Sequence, residues 1–431
     1  MSAFATTLGT LLRRDTFRQL LEVRIANQTG DGLVQVGMLA YALFSPQHQP
    51  NAWAIAGVLA VQYLPFSFVG PFVSTLLDRW PRQRISVFVD CLRALLCVVI
   101  AVCVWNNDAG DTAIDVIIYG LLLVTLSLNR FVLAGLAAGM PLTVKDDEYL
   151  EASSIIPILG PLGLVVAGIG AGAVRVFLSD SLGINVADSI IFMIGAVVFA
   201  LAALLMMRIR RYELGPTPDE MSNAESLGNA WVGLVDALKY LGRKPLVMQG
   251  LGAIAVERAA YGLLMTTTIL TYRNYFHATA DVNGAIADMG VWFIASGIGY
   301  ALSSVAAPIV ARHFGVRLGM TIMLAAAAVF QVLPGSIFTR PTLVAASFLL
   351  GVCFQSIKVY TDTYTQTHIA DAYRGRVFML YDIINNNMLV AGALVAALFA
   401  PLEGFSLPIY LGLAGALAVE SAFFAFTSRE K

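Results

Sequence analysis

Apolar blocks of more than about twenty residues recur from one end of this chain to the other, with only short polar breaks between them. A helix needs roughly 20 apolar residues to cross the hydrocarbon core of a bilayer, and a soluble core has no use for so many blocks of that length. In lipid every backbone N–H and C=O must find an internal partner, so a chain of this kind folds as packed helices. Composition agrees. Of 431 residues 58% are hydrophobic and 13% charged, with a mean hydropathy of +0.76, too few polar groups to cover a soluble protein of this size.

The blocks predict spans at Leu20–Phe44, Ala52–Leu77, Arg84–Trp105, Ala113–Leu142, Leu150–Phe177 and Asn185–Arg208. A second set follows at Pro245–Arg273, Ala285–Ala311, Val316–Phe338, Thr342–Thr367, Arg376–Ala400 and Phe405–Thr427. Between the sets lies a polar stretch, Ile209 to Lys244, whose later part from about Ala224 to Leu241 suits an amphipathic helix on the membrane surface. The expected organisation is an all-α membrane protein of twelve helices: a six-helix half over 1–208, a linker over 209–244 and a six-helix half over 245–431. Basic residues gather on one side, among them Arg13, Arg14, Arg18, Arg79, Arg82, Arg84, Lys145, Arg208, Arg210, Arg211, Arg243, Lys244, Arg312, Arg317, Arg374, Arg376, Arg429 and Lys431. Only Arg175, Arg273 and Arg340 lie near the other side. The positive-inside rule then puts both termini in the cytoplasm and the chain in the cell membrane.

Several function classes have no support. A net charge of −1 implies no nucleic-acid partner. Cys91, Cys97, Cys103 and Cys353 lie in apolar blocks, and His48, His277, His313 and His368 are scattered, so neither a disulfide framework nor a metal site is expected. No phosphate-cradling loop of the G-x-x-x-x-G-K-[ST] type and no nucleophile motif occurs, which argues against ATP-driven work, bound cofactors and enzyme chemistry. The arginines before the first block precede no small-residue cleavage site, so that block reads as an uncleaved first span.

The loop Leu77-Asp78-Arg79-Trp80-Pro81-Arg82-Gln83-Arg84 resembles the G-x-x-x-D-R-x-G-R-R loop of the major facilitator superfamily, with Ser74 and Pro81 where the family prefers glycine. A second tight basic turn, Arg312-His-Phe-Gly315-Val-Arg317, stands at the corresponding place in the second half. Gly30-Asp31-Gly32, Asp90-Cys-Leu-Arg93-Ala-Leu-Leu and Asp371-Ala-Tyr-Arg374-Gly375-Arg376-Val are similar, in order, to bacterial exporters of the siderophore- and macrolide-efflux branch. The resemblance implies two six-helix halves working by alternating access, and export driven by the proton gradient. It also implies that Asp78 latches the halves, with Arg79, Arg82, Arg84, Arg374 and Arg376 at neighbouring helix ends. A carboxylate there accepts charge-assisted hydrogen bonds, or sits against a helix N-terminus.

Ionisable groups inside spans are costly, so each needs a cavity or a partner. Asp31 and Glu257 stand at mid-depth in the first helix of each half and are the candidate proton carriers, with Arg130 or Arg258 competing for the deprotonated form. The alternative is a permanent ion pair between helices. Asp90, Arg93, Lys358, Asp362 and Asp382 lie nearer the cytoplasmic ends and read as gating residues, Lys358 and Asp362 sharing one helix face. Gln35, Arg130, Arg258, Gln355 and Asn386 are candidates to line a substrate cavity. In the fifth span Gly160-Pro161, Gly163, Gly168, Gly170 and Gly172 allow close packing or a bend. The expected partners are a hydrophobic or amphipathic small molecule, protons and membrane lipids, with the chain a monomer. Rival readings are a uniporter, an importer or a lipid flippase of the same fold, or a non-transporting membrane sensor or assembly protein.

Overall fold

The computed structural model of the chain describes residues 11, 13–44, 51–68, 73, 76–77, 79–107, 111–145, 149–217, 227–278 and 281–427. They form helices α1 (Asp15–Phe44), α2 (Ala52–Phe68), α3 (Arg82–Asn106), α4 (Thr112–Gly139), α5 (Tyr149–Leu182) and α6 (Ile184–Met206). After these come α7 (Leu227–Leu241), α8 (Pro245–Thr271), α9 (Val282–Ser336), α10 (Arg340–His368), α11 (Asp371–Phe399) and α12 (Leu407–Thr427). Among the described residues, eight helices are long and apolar enough to cross a membrane: α3, α4, α6 and α8 to α12. The more polar α1, the short apolar α2 and the apolar stretch of α5 complete the set.

The expected eighth and ninth spans form one run, α9, broken at Gly315, where φ is +79° and ψ is 161°. That conformation is open to glycine and strained for side chains with a Cβ, so Gly315 turns the chain between two spans in a single residue. The predicted surface helix of the linker forms as α7. It buries Leu234, Ala237 and Leu241 in the same core as α8, α10 and α11, and Tyr240 stacks on Tyr373 of α11 with ring centroids 4.2 Å apart.

By contacts the chain divides into two compact units, Met1–His48 with Phe68–Ala230, and Gln49–Ser67 with Trp231–Lys431. Most of α2 thus groups with the later helices. In the first unit α1 packs on α5 and α6, and α3 on α6 and α4; in the second, α8 packs on α11 and α9 on α10 and α12. First-with-fifth and third-with-sixth pairings occur in both.

The burial pattern is inverted relative to a soluble protein. Phe177, Ile169, Phe399 and Phe426 are among the most exposed side chains, whereas Asp31, Asp90, Arg93, Asp188 and Glu257 are buried. Lipid replaces water outside, so apolar burial alone does not hold the helices together; close backbone approach does. At the α8–α11 crossing, a Cβ on Gly262 would run into the Leu389 carbonyl, and one on Gly392 into the Ala259 carbonyl. Gly299 and Gly351 do the same for α9 and α10, against Phe348 and Ser296. In α5, Gly163 lies against the α1 backbone at Ile25, whereas Gly168, Gly170 and Gly172 face open space. Side chains from 151 to 162 lie outside the described residues.

Thr266, Thr267 and Thr271 of α8 donate their hydroxyls to carbonyls four residues back, at 2.9, 3.0 and 2.8 Å, which keeps a polar run satisfied within its own helix.

Gly392→Val is expected to destabilise the folded protein by about 1–3 kcal/mol, the usual cost of overpacking, and to lower the melting temperature in detergent. Gly297→Val, where nothing lies within 4 Å, should leave it unchanged within about 0.5 kcal/mol.

Candidate functional site

In the first unit Arg93 on α3 is wholly buried and at the centre of a charge cluster. Its guanidinium donates to Asp31 of α1 and to Asn27 Oδ1 at 3.0 Å, and lies 3.6 Å from Asp90 Oδ1 one turn back on its own helix. Asn27 Nδ2 closes the ring by donating to Asp90 Oδ2 at 3.0 Å. The Phe199 ring of α6 covers the guanidinium, its centroid 3.8 Å from Cζ. Gly30 leaves room for that ring, since a Cβ there would come within 2.5 Å of it. Two carboxyls therefore share one arginine, and Asp31 Oδ2 and Asp90 Oδ1 are buried without a hydrogen-bond partner.

In the second unit Glu257 and Arg258 of α8 form a neighbouring pair, Nε to Oε2 3.1 Å, with Glu257 fully buried. Lys358 and Asp362 of α10 form another at 2.9 Å, both part-exposed. Lys358 Nζ lies 5.6 Å from the Tyr381 ring centroid, and Tyr261 and Tyr300 meet edge to face at 6.3 Å. These tyrosines, with Tyr63 of α2, stand within electrostatic reach of Arg258. The Tyr300 and Tyr381 hydroxyls are buried, Tyr300 beside Arg258 and Tyr381 beside Asp362. One turn beyond Tyr381, Asn385 Nδ2 reaches Asn386 Oδ1 at 3.5 Å.

These placements redistribute the residues singled out from the sequence. Asp90 and Arg93, expected near the cytoplasmic ends as gating residues, sit beside Asp31, because positions three apart on α3 share a face. The arginine facing Asp31 is Arg93, where Arg130 or Arg258 was expected; Arg258 pairs with Glu257, and Arg130 is half-buried on α4. Gln35 and Gln355 are half-buried, and Asn386 is buried. Asp382 is exposed on α11. Asp78 lies outside the described residues. Arg82 donates to the carbonyls of Ala138 and Leu214 at 3.1 and 2.9 Å, stapling the segment after α6 to the start of α3 and the end of α4. Arg79, Arg84 and Arg376 are exposed, Arg376 passing over Gly233 of α7. Arg374 reaches the Gln366 carbonyl at 3.4 Å.

Sequence reasoning passed over Phe199 and the four tyrosines, whose residue types carry no signal in an apolar helix. It also passed over Asp188, which pairs with Arg175 at 3.6 Å where α5 meets α6. At the matching end of the second unit, His277 bridges Asp281 at 2.7 Å and Asp288 at 2.9 Å, and Arg340 joins Asp288 at 2.9 Å. Hydrogen bonds from His277 and from the Gly284 N–H hold the Asp281 carboxyl below its ordinary range.

Buried charge clusters among helices of inverted polarity define a multi-pass membrane protein, and the comparisons with known proteins say which kind. The pattern of the Major Facilitator Superfamily matches residues 29–393. Over 406 residues the chain is 32% identical to an uncharacterized MFS-type transporter of Mycobacterium tuberculosis, covering 92% of this chain and 87% of that one, and a Mycobacterium bovis protein matches equally. Among solved structures it is similar to the nucleoside transporter NupG, with a TM-score of 0.67 and 14% identity over 96% of this chain and 99% of that one. It is also similar to the POT family transporter PepTSo, with a TM-score of 0.64 and 12% identity over 95% and 97% of the two chains. The chain belongs to the Major Facilitator Superfamily.

Removing one partner from a buried ion cluster leaves uncompensated charge, at a cost of about 3–5 kcal/mol. Arg93→Met is therefore expected to lower thermal stability in detergent sharply. Adding Asp31→Asn and Asp90→Asn to it should recover most of the loss. A triple variant no more stable than the single one would contradict the cluster.

Proposed function

We propose that the chain is a proton-coupled exporter of a hydrophobic or amphipathic small molecule, with Asp31 carrying the coupling proton. The observation behind this reading is the two-to-one ratio of Asp31 and Asp90 to Arg93. With both carboxyls ionised the cluster holds one uncompensated negative charge in a fully buried setting, which is expensive; one proton makes it neutral. The Glu257–Arg258 and Lys358–Asp362 pairs are each neutral without a proton. This difference favours the cluster that holds Asp31 and Asp90 over Glu257 as the seat of the proton and fits Glu257 and Arg258 to holding a substrate's polar handle. Tyr261, Tyr300 and Tyr381 would meet its apolar body, rings being suited to flat or greasy partners and hydroxyls to a few hydrogen bonds.

In this reading the halves 1–208 and 245–431, joined by 209–244, rock by alternating access, with both termini in the cytoplasm and the protein in the cell membrane as a monomer. Asp78 with the basic residues Arg79, Arg82, Arg84, Arg374 and Arg376 would form the latch of the siderophore- and macrolide-efflux branch.

The test is efflux of a panel of lipophilic dyes and drugs from liposomes containing the purified chain, under an imposed pH gradient and with external pH recorded. Wild type should move substrate with the gradient, and Asp31→Asn should lose at least about a hundredfold of that rate, the lower end of what one positioned proton-transfer group contributes. Gradient-driven transport that survives in Asp31→Asn removes the assignment. Transport indifferent to the gradient supports a uniporter or flippase of the same fold instead.

A further inference from the structure

Outside the charge clusters, the first unit carries a groove of about 1030 Å³, at the upper end of the roughly 300–1,000 Å³ of small-molecule sites. It lies where the start of α3, the later part of α4 and the segment after α6 come together. Arg79, Arg84 and Arg211 line it, and all are exposed. Phe88 follows Arg84 by one turn on the same face of α3, and Leu128 and Phe131 of α4 add to an apolar floor. The floor is therefore built from membrane-spanning helices and the cations stand at their basic ends.

We propose that this groove binds one anionic phospholipid, its phosphate at Arg79, Arg84 and Arg211 and an acyl chain along α3 and α4. Charge complementarity and depth carry the assignment. A free phosphate would use the arginines and leave the apolar floor unexplained. A neutral acyl compound would use the floor and draw nothing from the basic rim. A lipid with a negative headgroup uses both, and its phosphate stands at the level where guanidinium groups at helix ends meet the membrane surface. Trp80, also lining the groove and 65% exposed, supplies the interfacial ring that anchors such a level. Since basic residues gather on the cytoplasmic side, the lipid would come from the inner leaflet. Nothing in this inference depends on which ion or substrate the transporter moves.

The experiment is native mass spectrometry of the full chain in detergent with equimolar phosphatidylglycerol and phosphatidylcholine of identical acyl chains. Wild type should retain one phosphatidylglycerol in preference to phosphatidylcholine by about tenfold, and the preference should fall as ionic strength rises. Arg84→Gln with Arg211→Gln should bring the ratio close to one while some retention of either lipid remains. Leu128→Trp, which fills the floor without touching a charge, should lower retention of both. The salt dependence needs no variant and stands even where a substitution impairs folding. Equal retention of the two lipids by wild type overturns the proposal, as does a ratio unchanged in the double arginine variant. Displacement of phosphatidylglycerol by inorganic phosphate alone would reassign the groove to a free anion. A dimer that forms through the groove and excludes lipid would reassign it to a second copy of the chain.

Discussion

Hydrocarbon offers a charged side chain no partner, so every ion within a span must be matched by another protein group, and the interior of this molecule is arranged around that requirement. Arg93 shows it most clearly. Its guanidinium is covered by the Phe199 ring and engages Asn27, Asp31 and Asp90. Those partners come from α1 and α3, and the ring from α6, so one fully buried cation fixes the rotation of three helices about their own axes. A helix turned by one residue, about 100°, would carry Asp31 off this face and strand the arginine.

Charge matching orients helices, whereas small residues decide how near they come. Gly262 and Gly392 bring the backbones of α8 and α11 together at two points one from each helix, and Gly299 and Gly351 do so for α9 and α10. Close approach increases van der Waals contact, which in lipid must supply much of what hydrophobic burial supplies in water. The same tight seams place the α8 pair Glu257 and Arg258, five and four residues before Gly262, at a fixed offset from Tyr381 and Asn385 of α11.

Spans were legible because they follow from a one-dimensional requirement: enough apolar residues in sequence to cross the bilayer. The membrane fold, the family and the helical linker segment could all be anticipated from the chain. What stayed hidden depends on helix rotation and neighbours. Asp31 is visible as an intramembrane acid, but its partner Arg93 lies 62 residues away and stands out in sequence as a gating candidate rather than as the partner of Asp31. Asp90 stands out in the same way as a gating candidate, although its three-residue spacing to Arg93 already puts both on one face. Phe199 and the tyrosines near Arg258 left no trace, since aromatic residues are ordinary in apolar helices and only their convergence gives them meaning. The break at Gly315 was foreshadowed by its basic flanks, yet the single-residue turn required the backbone angles.

Asp31 and Glu257 occupy similar places, each about mid-way along its helix, α1 or α8, and their surroundings differ in one respect that sequence position conceals. Asp31 shares its arginine with a second carboxyl, whereas Glu257 has Arg258 to itself at 3.1 Å. A cluster with one carboxyl in excess changes its net charge from −1 to 0 on taking a proton, and a matched pair changes from 0 to +1. In a buried setting the first change is relieved by the proton and the second is penalised. Position alone would give the two acids the same role. The count of neighbouring charges separates them: one proton neutralises the cluster around Arg93, whereas the Glu257–Arg258 pair is already neutral without one.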